Sequence, residues 1–290
     1  MPGRSQGNPH FRETRLRRRI RVPRGKQNCS LSAFVLRSPR MANRFYDPGE
    51  QRSAKVRDLF AAIAPRYDLI NDLQSFGLHR WWKRRSIQLA KVRPGEHALD
   101  LCCGTGDLAF ALARQGAQVM GLDFSAPMLA VAQARFRERP LTVSASTQAQ
   151  PATRNPQFLR GDALNLPFPD ASFHIVTIGY GLRNLADFEQ GLRAMWRVTK
   201  PGGRLLVLDF GKPDHALWRA VYFGHLKWFV PLFGKMFCGD PATYAYIFES
   251  LKIYPAQEGV AAKMRELQCA HVRVVNLLGG VMSINYGEKQ

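Results

Sequence analysis

The segment over residues 97–123 constrains the fold of this chain more than any other. Residues 97–103 (HALDLCC) form an apolar run that predicts a buried strand, and residues 104–107 (GTGD) predict a tight turn. Residues 108–114 have the pattern of a helix, and residues 117–122 (AQVMGL) predict a second buried strand. A strand, a glycine turn, a helix and a strand together form the βαβ unit of a parallel sheet.

The alternation of strands and helices continues on both sides of this unit. Upstream, apolar residues at helical spacing predict a helix that Pro65 ends, followed by a second helix over residues 69–91. Downstream we predict strands at 157–160, 173–178, 204–209, 271–276 and 279–286, and a turn at 200–203 (KPGG). Helices are predicted from 126, with Ser125 as its cap, over 187–198 and over 256–267. We therefore predict an α/β fold with a doubly wound, mostly parallel, seven-stranded sheet, an antiparallel C-terminal edge and N-terminal helices.

The net charge of +20 is unevenly distributed along the chain. The first 40 residues carry ten Arg and one Lys against a single acid, Glu13. This composition predicts a disordered segment over residues 1–43, which could be a targeting peptide, a binder of acidic surfaces, or a translated upstream extension with Met41 as the start. Residues 44–290 are predicted to form the folded domain, with the polar residues 141–156 as a surface insertion.

Cysteine usage and hydropathy exclude several classes of protein. None of the five cysteines is in a C-x-x-C pair, and no His/Cys cluster has zinc spacing, so neither a disulfide framework nor a metal site is predicted. His79, His97 and His174 lack partners at ligand spacing and are interpreted as core or surface histidines. No apolar run is long enough to span a bilayer, which predicts a cytoplasmic protein, peripheral to the inner membrane or organellar if residues 1–40 are a transit peptide.

The charges near the glycine turn indicate the kind of ligand. Gly104 and Gly106, followed by Ala109, formally satisfy G-x-G-x-x-A, which a dinucleotide site and an unliganded loop would share. Asp107 lies in the first helical turn, where a pyrophosphate would otherwise bind. A fixed carboxylate there would repel a pyrophosphate and favour a cofactor with an ammonium and a sulfonium, which describes S-adenosylmethionine.

Further acids lie in or after successive strands, at the edge where ligands bind open α/β sheets. Asp100 lies in the first strand of the unit. Asp123 ends the second strand, where an acid accepts hydrogen bonds from ribose hydroxyls. Asp162 follows the third strand and could meet an adenine amine. Any one of these acids could be a helix cap or a turn residue, but their recurrence favours a nucleoside site.

Several motifs carry a resemblance to a known family. The motifs are LDLCCGTGD (99–107), GLDFS (121–125), GDA (161–163), LPFP (166–169) and KPGG (200–203), and they resemble class I S-adenosylmethionine methyltransferases. More narrowly, YDLIND (67–72), GLRN (181–184) and LDFGKP (208–213) resemble the C-methyltransferases that complete menaquinone, phylloquinone and ubiquinone rings. The resemblance covers residues 44–290, with 141–156 as the clear departure.

The resemblance implies a cofactor, a substrate class and site residues. It implies S-adenosylmethionine contacts at Thr105, Asp123, Asp162, Ala163 and Gly179. Gly179 departs from a serine that is common in the family, so a side-chain contact is lost there. Asp100, Gly104, Gly106 and Phe124, in the same motifs, are added as cofactor-binding candidates, and Tyr67 and Asn71 as substrate-binding candidates.

The paired Cys102 and Cys103 resemble the branch of the family from photosynthetic organisms. This branch methylates a phytylated or prenylated naphthoquinol, which is the last step of phylloquinone or menaquinone biosynthesis. Methylation of a benzoquinol in ubiquinone biosynthesis is the alternative. The expected partner is a prenylated quinol, and peripheral membrane contact and a homo-oligomer are left open.

The chemistry of ring methylation limits the catalytic candidates. A quinol ring carbon becomes a good nucleophile when a ring hydroxyl loses its proton, so the site needs a base and a cation or donor for the oxygen. Arg183 can supply the cation, with Asn184 and Tyr180 as donors. The base is left open among Asp209, Asp68 and Asp72. A salt bridge is the alternative role for Arg183.

The aromatic residues in the segment 213–255 indicate an apolar surface. Over residues 215–237 they recur at three-to-four spacing and are interrupted by basic residues. This pattern fits a helix in a membrane interface, a lid over a pocket for an isoprenoid tail, or a core face. An RNA or protein methyltransferase is less favoured, because GYG (179–181) replaces the Asn/Asp-Pro-Pro-aromatic run that holds an amine, so no nucleic-acid partner is expected. A non-catalytic module is disfavoured by the intact acids.

Overall fold

The structure is a computed structural model that describes residues 51–138, 155–238 and 242–290. The basic extension over residues 1–43 and most of the insertion over 141–156 lie outside the described residues. Side chains are described from Asp58 to Val230 and from Ile247 onward, apart from the gap, together with Val56. The aromatic side chains predicted at Phe233 and Phe237 are therefore also outside the description.

The elements follow the order expected for an α/β chain with N-terminal helices. The helices are α1 (Gln51–Ile63), α2 (Tyr67–Ser75), α3 (Leu78–Ala90), α4 (Asp107–Arg114), α5 (Ala126–Glu138), α6 (Phe188–Val198), α7 (Ala216–Cys238), α8 (Ala242–Ile253) and α9 (Ala256–Glu266). The strands are β1 (His97–Leu101), β2 (Gln118–Asp123), β3 (Gln157–Arg160), β4 (Phe173–Gly179), β5 (Thr199–Phe210), β6 (Cys269–Leu277) and β7 (Met282–Lys289). Short 3₁₀ helices cover Ala64–Arg66, Leu182–Asn184 and Leu278–Gly280.

One seven-stranded sheet organises the fold, in the order β3-β2-β1-β4-β5-β7-β6. Strands β1 to β5 pair in parallel, whereas β7 pairs antiparallel with both β5 and β6. The prediction of a mostly parallel sheet with an antiparallel C-terminal edge is confirmed. Because β1 to β4 are parallel, their carboxyl ends meet at one edge, where the loops can build a common site.

Burial explains why the central strands are mostly apolar. Helices cover both faces of a parallel sheet, so its strands have no solvent face. Leu99, Ile175, Leu206 and Leu208 are accordingly buried almost completely. Asp187 precedes α6 and caps it, because its carboxylate accepts hydrogen bonds from the amides of Glu189 and Gln190.

Three local predictions are wrong in instructive ways. The single helix over 69–91 is two helices, because Phe76 and Gly77 adopt left-handed φ values of 50° and 76°. The turn at 200–203 lies inside β5, where Gly202 has a φ of 72° and the register with β4 shifts. The hydroxyl of Ser125 does not cap α5: it is buried without a hydrogen-bond partner among the described residues.

Candidate active site

A cavity of about 320 Å³ lies at the carboxyl ends of the parallel strands, and we call it the strand-end cavity. Its walls come from the loops after β1, β2, β3 and β4, with α1, α2 and α5 at its border. Lining residues used below are Phe60, Tyr67, Cys102, Gly104, Asp123, Phe124, Asp162, Ala163, Gly179, Tyr180 and Asn184. Six of the nine predicted cofactor residues line this cavity, and the other three, Asp100, Thr105 and Gly106, belong to β1 and the glycine turn after it.

Asp123 is the buried carboxylate of the strand-end cavity. One of its oxygens accepts a hydrogen bond from the Gly104 amide at 2.9 Å, and the other accepts one from the Ser125 amide at 2.8 Å. Burial raises the pKa of Asp123 above its usual range. These backbone bonds fix the carboxylate at the end of β2, where it can accept hydrogen bonds from a diol.

Asp162 and its neighbours form a further part of the cavity wall. The Asp162 carboxylate accepts hydrogen bonds from the Leu164 amide at 2.9 Å and the Asn165 side chain at 3.2 Å. Ala163 and Phe124 add apolar surface on the same wall. A flat aromatic base with an amino group suits this combination of apolar walls and one carboxylate.

The three glycines predicted at the site have different roles. Gly104 has a φ of 54°, and a Cβ there would meet nothing within 4 Å, so its backbone faces open space in the cavity. Gly106 does not line the cavity, and a Cβ there would lie 2.8 Å from Phe110 Cε2, so this glycine serves packing rather than the ligand. At Gly179 a Cβ would lie 2.7 Å from Leu108 Cδ1, so a serine would require Leu108 to move.

Asp107 does not have the free negative charge that the sequence argument assumed. Lys83 Nζ lies 2.6 Å and Arg135 Nη2 lies 2.7 Å from its two oxygens. Burial opposes its ionisation, but these two cations outweigh burial and hold the pKa of Asp107 well below its usual range. The argument that Asp107 itself attracts a cationic cofactor is therefore wrong, because internal cations already neutralise the carboxylate.

Thr105 and Asp100 border a second, small cavity of about 30 Å³ beside the glycine turn. Thr105 is buried, and its hydroxyl donates to Asp68 at 2.8 Å. Asp100 accepts hydrogen bonds from the Thr177 hydroxyl at 2.8 Å and from the Ala109 amide at 3.0 Å. Burial raises the pKa of Asp100 to about 7. Asp100 thus ties β1 to β4 and α4 at the floor of the site.

An apolar cavity of about 410 Å³ adjoins the strand-end cavity. Its walls come from α2, α3, α7, α8 and the segment after β6. Lining residues include Phe60, Tyr67, Asn71, Phe76, Leu78, His79, Trp82, Tyr180, Arg183, Phe210, Trp218, Val221, Tyr222, His225, Leu226, Val230, Leu278 and Val281. The aromatic segment that the sequence analysis singled out thus supplies one wall of this cavity through α7.

Phe60, Tyr67 and Tyr180 line both cavities and form the wall that the two cavities share. Burial raises the pKa of Tyr67 to about 12, and it raises the pKa of Tyr180 well above its usual range. Both phenols therefore stay protonated near neutral pH and can donate hydrogen bonds. The Tyr180 hydroxyl is buried without a hydrogen-bond partner among the described residues.

Arg183 and Asp209 form a buried ion pair behind this wall. The Arg183 guanidinium lies 2.5 Å from Asp209 Oδ1, and the Arg183 amide donates to Asp209 Oδ2 at 3.1 Å. The guanidinium also donates to the Tyr180 carbonyl at 2.8 Å and lies 4.6 Å from the centre of the Phe210 ring. The salt-bridge alternative for Arg183 is therefore present, and the same side chain also lines the apolar cavity.

Each of the three carboxylates predicted as a candidate base already forms hydrogen bonds or an ion pair with other residues. Asp209 is 2% exposed and does not line either large cavity. Asp68 accepts from Thr105 and lies 3.0 Å from Arg135. Asp72 binds Arg80 and His79. Asn184, a predicted donor, lines the strand-end cavity and gives a hydrogen bond to the Tyr180 carbonyl at 3.1 Å.

Two residues of this region, Lys83 and His79, were not predicted as site residues from the sequence. Lys83 borders the small cavity, 5.7 Å from the centre of the Tyr180 ring. His79 lines the apolar cavity, and its interpretation as an ordinary core histidine did not anticipate this position. The only sequence signal for His79 was its spacing from Asp72 and Gly77. This spacing indicates that His79 and Asp72 meet only once the helix break at Gly77 is known.

The residues of the strand-end cavity and of the small cavity beside the glycine turn fit S-adenosylmethionine. Asp123 offers acceptors for a ribose, the Asp162 wall suits adenine, and the open backbone at Gly104 leaves room beside the turn. Asp100 and Lys83 at the small cavity offer one acid and one cation to an amino-acid end that carries both charges. The fold and this site define a class I S-adenosylmethionine-dependent methyltransferase.

Comparisons with known proteins identify the family. The model of the ubiE/COQ5 methyltransferase family matches residues 49–289. A relative from Azotobacter vinelandii, named ubiquinone/menaquinone biosynthesis C-methyltransferase UbiE, is 40% identical over 83% of this chain and 92% of the relative. A relative of the same name from Pseudomonas savastanoi is 42% identical over 83% of this chain and 91% of its own. The chain belongs to the ubiE/COQ5 methyltransferase family and is an S-adenosylmethionine-dependent C-methyltransferase.

Solved structures agree with the fold. A methyltransferase from Thermotoga maritima, described as a possible histamine N-methyltransferase, aligns with a TM-score of 0.53 at 18% identity, covering 80% of this chain and 99% of that chain. The [4+2]-cyclase SpnF aligns with a TM-score of 0.53 at 19% identity, covering 82% of this chain and 96% of its own. Among the described residues, no helix is long and apolar enough to cross a membrane.

Proposed function

We propose that this enzyme methylates a ring carbon of a prenylated or phytylated naphthoquinol. One observation carries the proposal: an apolar cavity of about 410 Å³, lined in part by Arg183, adjoins the strand-end cavity at the wall shared by Phe60, Tyr67 and Tyr180. An isoprenoid tail suits the aromatic and aliphatic walls from α3 and α7. A quinol head then lies where donors and a cation converge.

Cofactor binding in this proposal uses the strand-end residues. S-adenosylmethionine supplies an electrophilic methyl group when bound. Asp123 holds the ribose, while Asp162, Ala163 and Phe124 hold the base. Gly104 and Gly179 contribute backbone. Asp100 and Thr105 stabilise the floor of the site from the small cavity, and Gly106 acts through packing against Phe110.

The acceptor side of the site stabilises a quinol that has lost a proton. Arg183 places a cation beside the apolar cavity, and Asp209 orients it through two hydrogen bonds. The protonated hydroxyls of Tyr67 and Tyr180 donate toward the oxygen of the ring. Such fixed donors stabilise developing negative charge without reorganisation. In this assignment Asp209 is a positioning residue rather than the base, and Asn71 and Asn184 support Tyr67 and Tyr180 respectively.

The proposal is tested with purified enzyme and three acceptors. Transfer of labelled methyl from S-adenosylmethionine is measured on a prenylated naphthoquinol, a prenylated benzoquinol and tRNA. We expect the largest kcat/KM on the naphthoquinol and none on tRNA. Faster methylation of tRNA, or calorimetric binding of NAD in place of S-adenosylmethionine, would overturn the proposal.

A benzoquinol is the second candidate substrate. The curated relatives from Azotobacter and Pseudomonas are named for both ubiquinone and menaquinone biosynthesis. The resemblance of the Cys102-Cys103 pair to enzymes of photosynthetic organisms favours the naphthoquinol. Equal kcat/KM on the two rings would extend the proposal to both substrates rather than select one.

We infer further that the mouth of the apolar cavity docks on a membrane. Exposed apolar side chains follow α7 within an arc of about 120° around the helix, and two of them, Trp218 and Val221, also line the cavity. The exposed set on α7 is Leu217, Trp218, Val221, Trp228 and Phe229, and Phe76, Leu78, Trp81 and Leu278 are exposed on neighbouring segments. We call these nine residues the apolar rim.

The charge around the apolar rim favours an anionic bilayer as its partner. Helices α3 and α7 contain basic residues and no Asp or Glu. Lys227 lies 4.9 Å from the centre of the Trp228 ring, which combines a cation with an aromatic ring at the surface. Such a mixture is typical of helices that lie in the membrane interface. A second copy of the chain would bring two basic surfaces together, which disfavours a symmetric dimer through the rim.

The catalytic domain is assigned to residues 44–290 in this proposal, in line with the family match over 49–289. The segment 213–255 contributes the lid over the apolar cavity through α7 and α8.

A further inference from the structure

His79 forms a pair with Asp72 at the wall of the apolar cavity. His79 Nε2 lies 2.8 Å from Asp72 Oδ1, across the break between α2 and α3. The residue is 4% exposed, and it lines the cavity that also contains Arg183 and Tyr180. Its second ring nitrogen, Nδ1, is buried without a hydrogen-bond partner among the described residues.

The chemistry of the partner fixes the tautomer of His79. Hydrogen bonds from Arg80 and His79 lower the pKa of Asp72, so this carboxylate is ionised and can only accept. The hydrogen between Asp72 and His79 therefore resides on Nε2. In a neutral ring, Nδ1 then carries a lone pair, and a carboxylate behind the ring raises its ability to take a proton.

The surroundings of His79 keep the ring neutral before reaction. Burial lowers the pKa of His79, and Lys83 on the same helix lowers it further, while Asp72 on α2 and Asp107 on α4 act in the opposite direction. Arg183 faces the same cavity. The ring is therefore a free acceptor near neutral pH, which a general base must be.

We propose that His79 is the general base of the methyl transfer and that Asp72 positions it. This inference rests on the proposed function, because it needs an acceptor with an ionisable ring hydroxyl in the apolar cavity. Asp72, one of the three carboxylates that the sequence indicated as candidate bases, then acts indirectly, by orienting the imidazole of His79. Asp68 and Asp209 remain outside proton transfer.

The proton balance of this step is complete. The O–H bond of the ring hydroxyl breaks, an N–H bond forms at His79 Nδ1, and the electron pair stays on oxygen and enriches the ring carbon. After methylation, that carbon loses its own proton and the hydroxyl regains one. One proton is released to water per turnover, which balances the positive charge lost when a sulfonium becomes a thioether.

The test compares His79→Gln with the wild-type enzyme. Glutamine keeps a donor toward Asp72 but removes the basic nitrogen. We expect kcat to fall by roughly 10²- to 10⁴-fold, with calorimetric affinity for S-adenosylmethionine within about threefold of wild type, because His79 lies outside the strand-end cavity. The wild-type kcat/KM should fall at acidic pH as His79 becomes protonated, and this limb should disappear in the variant.

His97→Gln is the matched control, because His97 is exposed at the amino end of β1, far from the carboxyl edge of the sheet. It should retain kcat within about threefold of wild type. Asp72→Asn is a second variant, and it should lower kcat and move the acidic limb of the pH profile. If His79→Gln folds and retains kcat, or keeps the acidic limb, the assignment is overturned.

Nitrogen NMR of the free enzyme tests the pair without turnover. At pH 7 we expect a neutral His79 ring with its hydrogen on Nε2. A hydrogen on Nδ1, or a doubly protonated ring, would overturn the inference even if the enzyme methylates a naphthoquinol. Conversely, the expected tautomer with no quinol methylation would count against the proposed function and leave the pair itself intact.

Discussion

The ion pair of Arg183 and Asp209 combines a structural role with a proposed catalytic one, and double substitution can separate them. Arg183→Ala leaves the buried Asp209 carboxylate without its cation, so we expect the free energy of unfolding to fall by about 3–5 kcal/mol. The double variant Arg183→Gln/Asp209→Asn leaves no charge at the two positions of this buried pair. It should recover most of the stability in urea unfolding, but no methyl transfer.

Recovery of methyl transfer in this double variant would show that the cation is not needed for chemistry. The affinity of the folded double variant for S-adenosylmethionine should match wild type, because neither residue lines the strand-end cavity. A parallel loss of cofactor affinity and turnover would instead place Arg183 on the cofactor side.

Asp100 makes stability depend on pH in the neutral range. Burial raises its pKa from 3.8 to about 7 in the folded chain. The folded state therefore binds a proton that the unfolded state has released, and stability falls as pH rises through about 7. Between pH 5 and pH 8 the wild-type protein should lose about 2 kcal/mol from this group.

The variant Asp100→Asn should remove this dependence. An asparagine can donate to the Thr177 hydroxyl and accept from the Ala109 amide, so both neighbours of Asp100 keep a partner. The difference in unfolding free energy between variant and wild type is measured by urea titration at both pH values without cofactor. A difference that stays constant with pH would show that Asp100 does not titrate in this range.

At the scale of elements, the junction between α2 and α3 places His79 opposite Asp72. Gly77 has a φ of 76°, and a Cβ there would meet nothing within 4 Å. Gly77→Ala should therefore cost about 1–2 kcal/mol through backbone strain alone. Gly224→Ala, in α7, is the comparison, because a Cβ there is equally unhindered and Gly224 has no positive φ. This change should not lower the stability of the protein. Equal effects of the two changes on the thermal midpoint would exclude strain as the cause.

The elements show what the sequence can and cannot predict. The strands β1, β2 and β4 were predictable because burial on both faces of a parallel sheet requires largely apolar runs, and the end of β2 located Asp123. The break at Gly77 was missed because helical periodicity continues across it. The two cations on Asp107 were missed because Lys83 and Arg135 lie far from it in the chain, and only packing brings them together.

At the scale of the whole molecule, the apolar rim is the surface that should insert into a bilayer. All five tryptophans lie beyond residue 80, at Trp81, Trp82, Trp196, Trp218 and Trp228, so none belongs to the basic N-terminal extension. Tryptophan quenching by brominated lipid in anionic phosphatidylglycerol vesicles therefore reports insertion of the rim, rather than electrostatic tethering of the extension. We expect quenching in wild type.

The double variant Leu217→Ser/Phe229→Ser keeps every tryptophan and should weaken partitioning into these vesicles by about tenfold or more. Leu159→Ser is the control, because Leu159 is exposed on β3, the edge strand four positions away from β5 in the sheet. Vesicle binding without quenching would assign the contact to the extension. Loss of a dimer in the double variant by light scattering would show that the rim meets a second copy.

The shared wall of Tyr67 and Tyr180 also separates two parts of the chain that could be exchanged independently. The strand-end cavity, on the side of the methyl donor, is built mainly from loops after β1 to β4. The apolar cavity, on the side of the acceptor, is built mainly from α2, α3 and α7. A chimera that takes α7 from a relative with a different lipid preference would then inherit the relative's acceptor selectivity and leave the donor's dissociation constant unaltered. The substrate range of such a protein can therefore change without any change in the residues that bind S-adenosylmethionine.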